Sequence, residues 1–501
     1  MAQVQAADQN KLIIHADQGK DRIEPEIYGQ FAEHLGRCIY DGIWVGEDSE
    51  IPNIRGLRKD VVEALQKLEI PILRWPGGCF ADEYHWREGI GPKDQRPRMV
   101  NTNWGMITEN NHFGTHEFLD LCELLGCEAY IAGNVGSGTP EELQDWIEYM
   151  TFDGDSEMAL LRKQNGREEP WKVKWIGIGN ENWGCGGNMT AEYYSDLYRR
   201  FATFVHAYPG NEIVKVGCGP GGAGYDWMDT VLERAGRYMN AISMHYYVFT
   251  GPDWDHQGSA IDFSEKEWFI LIRNTLRCDE VIQNFIQILN ARDPEGRIDL
   301  LVDEWGTWWD PIEGQNELFC FQQNTVRDAV SCAIFFNLFH KHCYRIKMSN
   351  IAQTVNVLQA MILTEGGKMT VTPTYHVFEM YKVFQGATYL PSEMECADYS
   401  MDEQSFPALH ASVGRAEDGT VHVAVANLDP NNDMPLTCEF DGYTPKSASG
   451  RVLTADTMNA HNTFDDPDRV QPVALENIQL EADGRVVLQI PSKSVCVVTF
   501  E

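Results

Sequence analysis

Residues 173–181 read VKWIGIGNE, and the glycine-rich WGCGG follows at 183–187. A run rich in Val, Ile and Trp ends abruptly in Asn180-Glu181. A short apolar run closed by a turn signal is the pattern of a strand buried on both faces. Seven further runs of the same kind lie on either side of it: EIYGQFAEH (26–34), IPILRWPGG (70–78), CEAYIAGN (127–134), EIVKVGCGP (212–220), AISMHYY (241–247), IDLLVDEWG (298–306) and YRIKMSNIAQ (344–353). Longer amphipathic stretches separate them, among them LRKDVVEALQKL, THEFLDLCELL and AEYYSDLYRRFATFVHAY. Strands alternating with helices predict an α/β fold with a parallel sheet, and eight strands are the number that closes a (β/α)8 TIM barrel.

The rhythm changes near residue 391. EDGTVHVAVANLDPNND and IQLEADGRVVLQIPSKSVCVVTF alternate at the strand period, and Asp418-Gly419 and Asp483-Gly484 are hairpin dipeptides. This predicts a jelly-roll-like β-sandwich over 389–501 beside a barrel over 20–388. The strand-like NKLIIHAD, within the first nineteen residues or so, is expected to add a strand to that sandwich. Neither a low-complexity segment nor a short solenoid repeat interrupts the pattern.

A chain of 501 residues with 43% apolar content can bury a large core. Its formal charge of -35 repels phosphates, which argues against nucleic acid and anionic membranes as partners. No stretch reaches the ~20 apolar residues of a membrane span. The start, MAQVQAADQNKLIIHAD, lacks the basic head and apolar segment of a secretory signal. The 13 cysteines are odd in number and scattered, which suggests free thiols in a reducing, cytoplasmic setting.

Reactive groups of such a barrel sit at the C-terminal strand ends. Those ends carry Glu33 and His34, then Arg74, Gly77, Gly78 and Cys79, then Asn134, then Asn180-Glu181. Further on come His245 with Tyr246 and Tyr247, then Asp303-Glu304-Trp305, and last Asn350 and Gln353. Carboxylates, amides and aromatics converging in one place suit a sugar. A structural barrel ends its strands more often in Gly, Asn, Asp or Ser. Glycoside hydrolysis needs two carboxyl groups, one a protonated acid and the other an ionised nucleophile or base. Glu181 and Glu304, each on a different strand end beside a Trp, are the candidates, and no metal or organic cofactor is needed.

IGNENWGCGG after one strand and LLVDEWGTWWD on a later one resemble the α-L-arabinofuranosidases of glycoside hydrolase family 51, a retaining (β/α)8 family. IYGQFAEHLGRCIYDGIW, LRWPGGCFADEYHWREGIGP, NHFGTHEF, SMHYY, SNIAQTVNVLQA and VTPTYHVFEMYK extend the resemblance over about 20–385. The resemblance implies an exo-acting enzyme that removes terminal arabinofuranosyl units from arabinan or arabinoxylan fragments. It makes Glu181 the acid/base and Glu304 the nucleophile. It places Asn180 on the sugar hydroxyl next to the reacting carbon, Arg74 beside Glu304, and Glu33, Cys79, Tyr247 and Gln353 around the sugar. His245 becomes a supporting residue, and Trp104 a platform on the leaving side. Cys79 departs from the Asn of many relatives. The resemblance also implies a homo-oligomer, a hexamer. A β-xylosidase or endo-β-glucanase of the same clan is the alternative enzyme, and a non-catalytic sugar-binding protein the alternative class.

Two other motifs compete. Gly217-Cys218-Gly219-Pro220-Gly221-Gly222 matches G-x-G-x-x-G, but Pro220 interrupts it and the next strand ends without an acidic residue, against a dinucleotide site. His112 and His116 have a helical metal spacing but lack the glutamate of a zinc-protease motif, and Cys122 and Cys127 read as core thiols. Of the tryptophans at 183, 305, 308 and 309, about half are expected in the core and the rest against sugar.

Overall fold

The computed structural model describes residues 10–312 and 314–501. Eight parallel strands close a barrel in chain order: Gly29–Phe31, Ile72–Trp75, Glu128–Gly133, Trp175–Ile178, Val214–Gly217, Ala241–Val248, Asp299–Thr307 and Ile346–Ala352. The last pairs with the first through Asn350 and Gly29, which completes the ring. Every strand falls inside one of the eight apolar runs or overlaps its end by a residue. Trp175–Ile178 is buried throughout, as a strand covered by helices outside and by the lumen inside must be.

Several of the helices between strands start at residues that satisfy their free N–H groups. Thr139, Thr190, Ser264 and Thr325 each accept a backbone N–H with their side chain, and the last two form capping boxes with Glu267 and Asp328. Ile72, Tyr130, Trp175, Val216, Ala241, Leu301 and Met348 pack as a separate cluster that plugs the lower lumen.

The chain also forms a two-sheet domain, mostly of strands. Its six-stranded sheet includes Leu409–Arg415, Val421–Asn427 and Ser494–Phe500, and its five-stranded sheet includes Met434–Asp441 and Val486–Ile490. Lys11–His15 joins the second sheet, parallel to Met434–Asp441 and antiparallel to Ser392–Glu395. Leu12, Ile14, Val423, Val425, Leu436, Leu488 and Ile490 fill the space between the sheets. Asp418-Gly419 and Asp483-Gly484 turn hairpins, with Gly419 at φ +91 and Gly484 at φ +89. The helix Val326–Lys341 joins the two halves. Its Phe335, Phe336 and Phe339 pack on Trp305 of the barrel, while His340 hydrogen-bonds Ser412 of the sandwich at 2.9 Å. A helix wedged between two domains is buried all round, and this one is, from Val326 to His340.

The expectation of free thiols fails at one pair. Cys79 and Cys185 form a disulfide, with Cα atoms 5.5 Å apart, and the other cysteines are free. The two lie 106 residues apart in sequence, on the loops after the second and fourth barrel strands. Only barrel closure brings those loops together, so local sequence holds no sign of the bond.

Candidate active site

At the C-terminal mouth the lumen changes from apolar to charged. Arg74 is buried among anions: Nη1 donates to Glu304 Oε1 at 2.8 Å and to the Asp303 carbonyl at 3.1 Å, and Nη2 donates to Asn180 Oδ1 at 2.6 Å. Its guanidinium lies over the Phe31 ring. Burial opposes its charge, but Asp303 and Glu304 outweigh burial and hold it protonated. Tyr247 donates its hydroxyl to Glu304 Oε2 at 2.8 Å. Glu304 is thereby fixed through both oxygens by donors, the arrangement that suits a carboxylate held ready to attack.

Glu304 faces the lumen because of an irregularity in its strand. Ser243 of the neighbouring strand pairs with Leu301, but His245, two residues on, pairs with Glu304, three residues on. The extra residue is a β-bulge, a device that re-aims side chains. It allows Asp303 and Glu304, adjacent in sequence, both to reach the Arg74 guanidinium.

Glu181 stands on the opposite side, half-buried, with its backbone in the left-handed region at φ +43. A non-glycine residue there is strained, and such strain concentrates at functional sites. Asp82 holds the segment in place. Its Oδ2 accepts from the Asn180 backbone at 3.0 Å and the Asn182 amide at 3.2 Å, and its Oδ1 accepts from Val135 and Gly136 at 2.7 and 2.8 Å. The WGCGG loop folds back tightly here. A Cβ at Gly186 would meet the Asn180 carbonyl at 2.1 Å, so that glycine is required. Oxygens of Glu181 and Glu304 lie within 4.8 Å of each other.

His245 sits between the carboxyl groups. Its Nδ1 is 2.7 Å from Glu181 Oε1 and 3.4 Å from Glu304 Oε2, and its Nε2 is 3.1 Å from Asp303 Oδ1. Burial would discharge this ring, but Glu304, Asp303 and Glu181 together push its pKa up to about 10. Among the described residues two groupings have metal-ligand spacing, Glu181–His245–Glu304 and Cys79–Glu181–Cys185. In the first a metal would have to displace the proton that the carboxylates hold on His245, and in the second the two sulfurs are joined in the disulfide.

Glu33 lines the next part of the pocket. Its Oε1 accepts from Gly78, Phe80 and the Trp104 indole at 2.9 to 3.0 Å, and its Oε2 accepts from Gln353 at 3.0 Å. Burial, with Glu304 nearby, raises its pKa to about 7. With their other atoms engaged, Asn180 keeps Nδ2 and Gln353 keeps Oε1 without a partner among the described residues, though both atoms are buried. Such unpaired groups are costly unless a ligand meets them. The backbone of Gly78 completes the wall, and a Cβ there would stand 2.8 Å from Glu304 Oε1 and 3.3 Å from Asn180 Nδ2.

Two family models match the chain, the α-L-arabinofuranosidase 1 domain over residues 64–248 and the α-L-arabinofuranosidase C-terminal domain over 303–494. An intracellular exo-α-L-arabinofuranosidase of Bacteroides ovatus is 49% identical, over 98% of this chain and 95% of its own. The chain belongs to the α-L-arabinofuranosidases of glycoside hydrolase family 51. The crystal structure of the family 51 arabinofuranosidase from Xanthomonas axonopodis pv. citri superposes with a TM-score of 0.97 at 44% identity, covering 98% of this chain and all of that one (100%). The Thermotoga maritima α-L-arabinofuranosidase in an arabinose complex gives a TM-score of 0.87 at 29% identity, covering 98% and 99%.

In this family 51 arabinofuranosidase Glu33, Arg74, Asn180, Glu181, His245, Tyr247, Glu304 and Gln353 come together through the bonds above. Several further contributors carried no signal in the sequence. Cys79 reaches the mouth as half of a disulfide, so its thiol is not a free pocket group. Trp104 donates its indole N–H to Glu33 and so stands at the same pocket wall as that carboxylate. Trp305 and Trp309 are core, whereas Trp183 is exposed and Trp308 half-buried. Trp254, 56% exposed, meets Trp308 and Tyr247 edge-on, a third aromatic at the rim that the sequence did not single out. The glycines at 217–222 serve packing, since the Trp183 ring lies against Gly221 and its indole donates to the Gly219 carbonyl. His116 hydrogen-bonds Tyr149 on the barrel's flank, and Cys122 is core.

Proposed function

We infer that the protein is a retaining exo-α-L-arabinofuranosidase in which Glu304 is the nucleophile and Glu181 the acid/base. The observation that carries the roles is the unequal setting of two carboxyl groups whose oxygens lie within 4.8 Å. Glu304 is clamped by Arg74 and Tyr247, while Glu181 is open to the mouth and touches His245. Two carboxyl groups close together suit double displacement, for which about 5–5.5 Å is usual. Glu304 attacks the anomeric carbon while Glu181 protonates the departing oxygen. Glu181 then takes a proton from water, which releases the sugar with its configuration kept. Asn180 Nδ2 and Gln353 Oε1 are offered to the sugar hydroxyls, with Glu33 orienting Gln353. The rim tryptophans Trp183, Trp254 and Trp308 are offered to the leaving portion.

Glu304→Ala is expected to lower turnover of aryl arabinofuranosides by at least about a thousandfold. Glu181→Ala is expected to spare activated substrates at the glycosylation step. Wild-type-like turnover in the Glu304 variant would overturn the assignment, and so would a first-formed product of inverted anomeric configuration. A panel of aryl arabinofuranoside, xyloside and glucoside tests the sugar.

Arabinan or arabinoxylan fragments are the proposed substrates. A cytoplasmic location is supported by the relative named intracellular, and among the described residues no helix is long and apolar enough to cross a membrane. Self-association to a hexamer rests on the resemblance alone, and light scattering that gives a monomer's mass would reject it.

A further inference from the structure

Asp303 is 2% exposed and lies beneath both carboxyl groups without entering the pocket. Its Oδ2 accepts the Tyr130 hydroxyl at 2.8 Å and stands 3.8 Å from Arg74 Nε. Its Oδ1 is 3.1 Å from His245 Nε2. A neutral imidazole carries one N–H, and His245 faces carboxylates with both nitrogens. Both contacts are attractive only when the ring is an imidazolium. Asp303 is the anion on the far side of that ring from Glu181, and nothing on the glycosidic bond can reach it.

We propose that Asp303 is a positioning residue that keeps His245 charged, so that Nδ1–H stabilises the Glu181 carboxylate each time Glu181 has given its proton away. The proposal rests on the acid/base role of Glu181. In glycosylation the bond from the anomeric carbon to the leaving oxygen breaks and its electron pair stays on that oxygen. The Glu181 proton moves to the oxygen, and Glu304 bonds to the carbon. Glu181 is left anionic 2.7 Å from the imidazolium, an arrangement in which charge develops against a charge already in place. In the second half-reaction the proton returns from water.

The charged and titratable groups around the ring come from every neighbouring element. Glu33 and Arg74 stand on the first two strands or just beyond them, Tyr130 on the third and Glu181 past the end of the fourth. Cys218 follows the fifth, Tyr247 shares the ring's own strand, and Asp303 and Glu304 lie on the seventh. The eighth strand and its end bring only the neutral Asn350 and Gln353. Arg74 faces Asp303 through Oδ2, at 3.8 Å from Nε, which leaves Oδ1 as the anionic oxygen beyond His245 Nε2.

The test is the pH dependence of kcat/KM for Asp303→Asn with two substrates. One is an arabino-oligosaccharide, whose leaving group needs the proton, and the other a dinitrophenyl arabinofuranoside, whose leaving group does not. For the oligosaccharide the alkaline limb is expected to move at least about one pH unit lower, because His245 loses its charge sooner without the anion. For the dinitrophenyl substrate the limb stays in place, and Asp303→Glu returns the oligosaccharide limb towards the wild-type position. An equal loss at all pH values on both substrates would mean a merely structural role and overturn the proposal. The wild type gives an independent reading. Nitrogen-15 NMR of its histidines, with His245→Asn identifying the signal, should show a charged ring through about pH 8, and a ring neutral at about pH 7 overturns the proposal even where Asp303→Asn fails to fold. If Glu181→Ala loses the two substrates equally, it is the acid/base assignment that fails instead.

Discussion

The barrel lumen has two layers drawn from the same strands. The lower holds Ile72, Tyr130, Trp175, Val216, Ala241, Leu301 and Met348. A few residues further along those strands, the upper holds Arg74, His245, Asp303 and Glu304, equally buried. The lower layer is stabilised by removing apolar surface from water, and its chemistry is interchangeable among residues of similar volume. The upper gains little stability from its charges, because each ion loses its hydration on burial. What the upper layer obtains is strength of field, and the plug beneath supplies it by keeping water from the underside of the ion pairs. Stability and reactivity are thus stacked along one axis.

Breaking the upper layer should have the largest effect. Arg74→Met removes the cation shared by Asp303, Glu304 and Asn180. It is expected to lower stability by about 3–5 kcal/mol, the usual result of stranding a buried charge. It should also lower kcat/KM by at least about a hundredfold. Urea unfolding and aryl arabinofuranoside kinetics measure the two, and near-normal activity would remove the upper layer's claim to the chemistry. Breaking the lower layer should separate those quantities. Leu301→Ala is expected to cost about 2–5 kcal/mol of stability while kcat of the folded enzyme stays within about threefold. A large fall in kcat there would show that the layers are not independent. The smallest effect is expected where they meet. Tyr130 has its ring in the plug and its hydroxyl on Asp303. Tyr130→Phe should cost about 1.5 kcal/mol in the same urea titration, the lower end for a hydrogen bond to a charged group.

The two layers also differ in how far they could be read from the sequence. The strands were legible because β-rich apolar runs recur at barrel spacing, and Glu181 and Glu304 because two glutamates stand on separate strand ends, each beside a Trp. Arg74, Tyr247 and Gln353 also stood at strand ends, and the resemblance supplied their roles. The role of Asp303 was hidden by the bulge: strict alternation would point Asp303 and Glu304 to opposite faces, and only the extra residue relative to the Ser243–His245 strand changes that. Asp82 was hidden because it works mainly through backbone amides of distant loops. The Cys79–Cys185 bond and the place of Trp104 likewise depend on which loops the closed ring makes neighbours.

The strand Lys11–His15 lies between Ser392–Glu395 and Met434–Asp441, so the smaller domain is discontinuous and the entire barrel is an insertion between its first strand and the rest. A fragment cut at the apparent boundary near Thr388 would lose a central strand and expose two unpaired edges, the usual template for aggregation. Exchanging that domain between relatives therefore requires two grafts, one at each end of the gene, with the barrel carried between them.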